Sequence, residues 1–245
     1  MPDITDCPHR AVVVLISANT EWQVIRRLFP AARPMTSPYG EWFGVDLEVG
    51  AGSEPILFFH GGWGKIAAAA STQYVIGRWS PRLLINLGTC GGIEGKVERG
   101  TIILAERTVV YDIIEQMGDP NEHLSHYAVD LDLSWLDDGC PPDEGIRVMR
   151  TLLVSADRDL LAEEIPHLKE QFGAVAGDWE SGAIAWVADR NGTRCLILRG
   201  VTDLVGSHGG EAYGDMGLYV ENTTQVMGSL VGWLPSWIAR ARSIP

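Results

Sequence analysis

Three acidic residues, Glu21, Glu180 and Asp203, stand where strands and helices meet in the chain. Carboxylates held in different surroundings around one crevice can divide acid and base work, one keeping a proton while another takes one. Each acid alone has a plainer explanation. Glu21 falls in the first turn of a helix and Glu180 at the start of another, where the dipole favours an anion, and Asp203 reads equally well as a cap. Together, at three crevices of one sheet, they point to chemistry. Gly88-Thr89-Cys90-Gly91-Gly92 directly follows an apolar strand; its glycines admit a ligand close to the backbone and Thr89 offers a hydroxyl, or the chain simply turns there. It lacks the Gly-Lys-Ser/Thr ending of a Walker loop and is no dinucleotide fingerprint. Gly61-Gly62-Trp63-Gly64-Lys65 is similarly ambiguous, with Lys65 readable as a solvated first-turn residue. His60, His123, His126, His167 and His208 show no metal spacing beyond the weak pair His123/His126, so no metal is expected. Trp22, Trp63, Trp135 and Trp186 read as core or interface, and Trp179, between Asp178 and Glu180, as the ligand-facing exception.

The elements that must position these residues follow from periodicity. Val12-Val13-Val14-Leu15-Ile16 is a β-branched central strand. Thr20-Glu21-Trp22-Gln23 has the spacing of a capping box, and the helix it opens ends at Pro30. The Pro/Gly-rich stretch 33–55 suggests turns and a hairpin around 42–47. Residues 56–60 form a strand, followed by an Ala-rich helix to about Trp79; 83–87 form a third buried strand, and 101–106 and 108–112 two more. Residues 115–150 are polar and weakly periodic, as functional or mobile stretches are. Leu152–Ser155 is a short strand leading to Ala156-Asp157-Arg158-Asp159 and an acidic helix. Ala183, Ile184, Val187 and Ala188 give the next helix a buried stripe, Asn191-Gly192 stops it, and Cys195–Leu198 is a buried strand with Asp203 just past its end. A final helix spans about 216–240, with Pro235 inside it. The alternation argues for one α/β domain over 1–245 with a mostly parallel sheet, whose ligands bind beyond the carboxyl ends of the strands.

Composition narrows the partners. A net charge of −13 on 245 residues excludes a reader of phosphate backbones, so a small ligand is expected and nucleic acid is not. Four cysteines, Cys7, Cys90, Cys140 and Cys195, without paired spacing suit a reducing compartment; with an acidic N-terminus and no apolar run long enough to span a bilayer, the expectation is a soluble cytoplasmic protein that does not engage membranes.

Taken in order, Ser17-Ala18-Asn19-Thr20-Glu21, Gly61–Lys65, Asn86–Gly92, Val154-Ser155-Ala156-Asp157, Trp179-Glu180 and Arg199-Gly200-Val201-Thr202-Asp203 resemble the nucleoside phosphorylase and nucleosidase superfamily, nearest its 5′-methylthioadenosine/S-adenosylhomocysteine nucleosidases. The resemblance implies a three-layer α/β/α sandwich with a central twisted mixed sheet, no cofactor, and a homodimer or a hexamer. It implies that Asp203 is the acid at purine N7, Glu180 the holder of the ribose hydroxyls with Trp179 beside it, and Glu21 the activator of the attacking water. Thr89, Cys90 and Gly91 then wall the ligand, Thr202 takes the place of the Ser before the catalytic Asp, and Asp159 stands where an aromatic packs on the purine. Asn86 occupies the place of the arginine that holds phosphate in bacterial phosphorylases, and no arginine is expected to face the site near Glu21. Hydrolysis of a purine nucleoside is therefore the favoured reaction. Phosphorolysis and a non-catalytic nucleoside-binding module are the alternatives.

Overall fold

The structure, a computed structural model, describes residues 11–119, 121–136 and 147–241. Cys7 and Cys140 lie outside them, as does part of the polar stretch 115–150. Strands and helices follow in the order β1 (Val12–Ile16), α1 (Asn19–Leu28), β2 (Met35–Ser37), β3 (Gly40–Val49), β4 (Gly52–His60), α2 (Lys65–Trp79), β5 (Leu83–Ile93), β6 (Ile102–Val110), α3 (Glu122–Tyr127), β7 (Val129–Asp130), β8 (Val148–Ser155), α4 (Ile165–Phe172), β9 (Ala176–Asp178), α5 (Ser181–Arg190), β10 (Cys195–Gly206), β11 (Gly209–Gly210) and α6 (Met216–Arg240).

All eleven strands among the described residues join one mixed sheet. β1 runs parallel to β4 and β5, and β5 parallel to β10, whereas β3 and β4 form an antiparallel hairpin and β10 meets β6 antiparallel. The sheet is thus mixed rather than mostly parallel, because the hairpin in 33–55 and the reversal of β6 add antiparallel neighbours. Beyond β6 the sheet turns back on itself: β8 pairs with β6, and β9 joins β8 to the far end of β5. Alternate residues of β1 face opposite layers. Val12, Val14 and Ile16 pack with α1 and α6, while Val13 and Leu15 pack with residues of α2 and α5. This period-two split buries both faces of the sheet between helices, giving an α/β/α sandwich.

Three boundaries depart from expectation, and each departure matters for the site. Gly88–Gly92 is no loop but the second half of β5, because β10 and β9 supply hydrogen-bonding partners on both edges. Asp203 lies within β10 rather than beyond it, next to a bulge between Val201 and Asp203. The expected strands 101–106 and 108–112 are one strand, β6, with an irregularity at Ala105/Arg107.

Candidate active site

Glu21 reaches the cleft because helix α1 begins two residues earlier than the Thr20/Gln23 spacing suggests. Ala18 is the N-cap, and its N–H donates to Glu21 Oε2 at 3.1 Å, so Glu21 rather than Gln23 closes the first turn. The other carboxylate oxygen accepts from Thr89 twice, from its N–H at 2.6 Å and its hydroxyl at 2.9 Å. Three donors therefore orient a side chain that is 1% exposed.

Glu180 is the N-cap of α5 and accepts from Gly64 N–H at 3.0 Å. Asp178, two residues earlier, accepts from Ser155 Oγ at 2.6 Å and from the hydroxyl and N–H of Ser181, which ties the start of α5 to β8. Between these acids lies Arg199, a residue that the sequence left without a role. It is 1% exposed; its Nε is 2.8 Å from Asp178, its Nη2 3.3 Å from Glu180 and its Nη1 3.8 Å from Glu21. An arginine thus lies beside Glu21 without lining the cleft, and carboxylates engage it. Three buried carboxylates share one guanidinium, so full ionisation would leave surplus negative charge in a poorly solvated place. Glu180 absorbs that surplus: burial pushes its carboxyl up to about 8, opposed by Arg199 and reinforced by Asp178 and Glu21. The guanidinium itself stays charged; burial works against it, and Asp178, Glu180 and Glu21 outweigh that. Gly88 is glycine for the same reason, since a Cβ there would overlap the Arg199 guanidinium.

Asp203 is set by the β10 bulge opposite Gly91. Thr202 Oγ1 donates to its Oδ1 at 2.8 Å, leaving Oδ2 for a ligand. Burial raises its pKa, Thr202 opposes the shift, and Glu211 and Asp159 add to it. The Cys90 thiol is buried and pushed up by desolvation and by nearby acids, so it stays protonated and serves as wall rather than nucleophile.

All these groups line one cleft of about 850 Å³: Glu21, Thr89, Cys90, Gly91, Asp159, Trp179, Glu180, Thr202 and Asp203 are brought together there. Trp63 lines it too. It is 59% exposed and packs on Trp179 with ring centroids 5.6 Å apart, so it is neither core nor buried interface within this chain. Tyr213, just before α6, and Tyr219, at its start, complete a wall that carried no signal in the sequence. Asn86, by contrast, is buried structure: its Nδ2 donates to the Leu15 carbonyl at 3.0 Å. Among the described residues lining the cleft, the cations are Arg158, paired with Glu164 at 2.5 Å, and behind the wall Arg199. No three His, Cys, Asp or Glu side chains among the described residues converge as a metal-binding set.

A family profile described as the Phosphorylase superfamily matches residues 12–230. The chain belongs to the Phosphorylase superfamily. Within the superfamily it is 26% identical over 166 residues to a 5′-methylthioadenosine/S-adenosylhomocysteine nucleosidase of Actinobacillus succinogenes, covering 65% of this chain and 72% of that protein. A 5′-methylthioadenosine/S-adenosylhomocysteine nucleosidase structure from Campylobacter jejuni superposes with a TM-score of 0.75 at 15% identity, over 94% of this chain and 99% of that one. The native futalosine hydrolase of Helicobacter pylori gives a TM-score of 0.74 at 16% identity, over 91% and 96%. At these identities the structural likeness is one of fold, a superfamily sandwich with a mixed central sheet. No helix among the described residues is long and apolar enough to cross a membrane.

Proposed function

We propose that the chain hydrolyses the N-glycosidic bond of a purine nucleoside of the methylthioadenosine/S-adenosylhomocysteine kind, releasing the free base and the ribose moiety. The observation that carries this reading is the convergence of Glu21, Glu180 and Asp203 on one cleft with a single buried guanidinium already committed to carboxylates. Breaking the bond builds positive charge on the sugar and negative charge on the base. Asp203, whose raised pKa favours the acid form, gives a proton to purine N7 and relieves the second. Nearby carboxylates favour the first. Glu180, its carboxyl pushed up to about 8 by burial, accepts from the ribose hydroxyls in its ionised form, with Trp179 alongside. Glu21, aimed by Thr89 and Ala18, takes the proton of the attacking water. Thr89, Cys90, Gly91 and Asp159 form the rest of the ligand wall, and Thr202 orients Asp203.

A phosphate nucleophile needs positive forks. Here it would meet Glu21, with Arg199 spent on three acids, which favours water. The relatives named nucleosidases support the same direction. We further propose one domain over 1–245 acting in the cytoplasm as a homodimer, a state that would cover the exposed apolar side chains Trp63, Ile66, Ile114 and Met117. The deciding assay is base release from a panel of purine nucleosides, with and without phosphate, for wild type and Asp203→Asn. Release without phosphate is expected from wild type. The variant should lose ~10²–10⁴ in kcat, the usual worth of a positioned acid, while still binding nucleoside. The alkaline decline that accompanies deprotonation of Asp203 should vanish with it. Turnover that requires phosphate and yields ribose 1-phosphate would replace hydrolysis by phosphorolysis.

A further inference from the structure

The turn between β4 and α2, Gly61–Gly64, brings no charged side chain to the cleft, yet it meets the cleft twice. Gly64 N–H donates to Glu180 Oε1 at 3.0 Å, and Trp63 leans on Trp179. Gly62 and Gly64 hold positive φ, +78° and +84°, a backbone that is cheap for glycine but has no regular ladder to fasten it. Lys65 supplies the fastening. Its N–H donates to Asp157 Oδ1 at 2.7 Å; its ammonium pairs with Asp112 and lies 3.8 Å from Asp157 Oδ2; and Asp157 N–H donates to Asp112 Oδ2 at 2.9 Å. Three separate segments, the turn, the chain just after β6 and the chain just after β8, thus close on one ammonium whose side chain is only 16% exposed. Exposed ion pairs contribute little. The Lys65–Asp112 pair is mostly withdrawn from solvent, Asp157 is exposed, and each acid accepts from a backbone N–H.

We propose that Lys65, clasped by Asp112 and Asp157, is a positioning residue for the cleft: it fixes the Gly61–Gly64 turn so that Gly64 N–H holds Glu180 and Trp63 walls the sugar end. The inference rests on the nucleosidase reading of that cleft. Lys65 touches none of the groups given a part in bond breaking. It acts through Glu180, which also faces Arg199 from β10, Asp178 from β9 and Glu21 from α1. Among these the Gly64 N–H is a donor that favours the ionised carboxylate, so releasing the turn moves Glu180's proton binding to higher pH.

The test is steady-state base release as a function of pH for wild type, Lys65→Met, Lys65→Arg, Asp157→Ala and Arg82→Met. The last breaks a different ion pair, Arg82–Glu54, away from the cleft. Lys65→Met should raise KM about tenfold, the worth of one charge-assisted hydrogen bond, with a smaller fall in kcat and the acid limb moved to higher pH. Asp157→Ala should shift both in the same direction. Lys65→Arg, long enough to meet both acids, should restore the wild-type profile, and Arg82→Met should leave it in place. A folded Lys65→Met with wild-type KM and limb overturns the proposal. So does an Asp157→Ala with an unmoved profile, which decides the matter if Lys65→Met does not fold. Wild-type protein that releases no base from any purine nucleoside refutes the nucleosidase reading instead.

Discussion

Replacing Arg199 by Met keeps an apolar stem of similar length and removes the charge that three carboxylates share. Arg199 is 1% exposed and lies 2.8 Å from Asp178 and 3.3 Å from Glu180, so solvent screening does little to soften the loss. Removing one partner from a buried ion pair costs ~3–5 kcal/mol. The Ser181 hydroxyl at 3.0 Å and the Thr89 carbonyl at 3.4 Å lose a hydrogen-bond donor as well, which places the expected loss toward the upper end. The penalty depends on pH with a definite sign. Without the guanidinium Glu180 binds its proton still more tightly in the folded state than in the unfolded chain, where such groups titrate near about 4. Stability that depends on its protonation is present below that value and is lost as pH rises through the raised folded-state pKa. Glu180, raised to about 8 by burial even with Arg199 present, already behaves this way. The variant's deficit should therefore be smaller at about pH 5 and still be growing as pH rises through about 8. Urea unfolding followed by tryptophan fluorescence, on both proteins at both pH values, measures it. A deficit below about 1 kcal/mol at the higher pH, or an equal deficit at both, would refute the shared-guanidinium account.

Glu21→Gln must turn an NH2 either toward the Thr89 donors or toward the Ala18 N–H, costing ~1–3 kcal/mol of stability in thermal unfolding. The same variant should slow base release by ~10²–10⁴, and a wild-type rate would remove Glu21 from the mechanism. Gly88→Ala places a Cβ into the Arg199 guanidinium and 2.9 Å from Glu21 Oε1, so it should destabilise by ~1–3 kcal/mol and abolish most activity. Gly77→Ala in α2, where a Cβ meets nothing within 4 Å, should instead stabilise by ~0.5–1 kcal/mol with activity intact; unfolding midpoints of the pair separate a site glycine from a merely helical one.

Local signals in the sequence carried much of the fold. Val12–Ile16 is a strand with the boundaries its β-branched run suggests, α2 ends at Trp79, and α6 spans the residues its apolar period marks, running through Pro235. Where local signals misled, a distant partner decided. The glycines of 88–92 suit a turn in isolation but become strand when β9 and β10 bond both edges; Gly88 is crowded by Arg199, and Gly92 by Val97 and Val201. The acids at 21, 180 and 203 stood out through their places at element ends. Arg199 did not, because one arginine ending an apolar run has no pattern until α1, β9 and the start of α5 are folded around it. Lys65 was masked in the same way, reading as a solvated first-turn residue until β6 and β8 bring Asp112 and Asp157 to it.

The place of β10 has a consequence for how the molecule comes into being. It lies between β5 and β6, both of which precede it by a long stretch of chain, and it delivers Arg199 and Asp203 together. During synthesis β1 can pair with β4 and β5 early, while the gap beside β5 stays open until β10 leaves the ribosome. Until then Glu21, Asp178 and Glu180 have no guanidinium between them, and the two strand edges stand unpaired. A chain lacking β10 thus lacks both Arg199 and Asp203 and leaves the β5 and β6 edges open to edge-to-edge association. The strand that completes the candidate site is also the strand that seals the sheet.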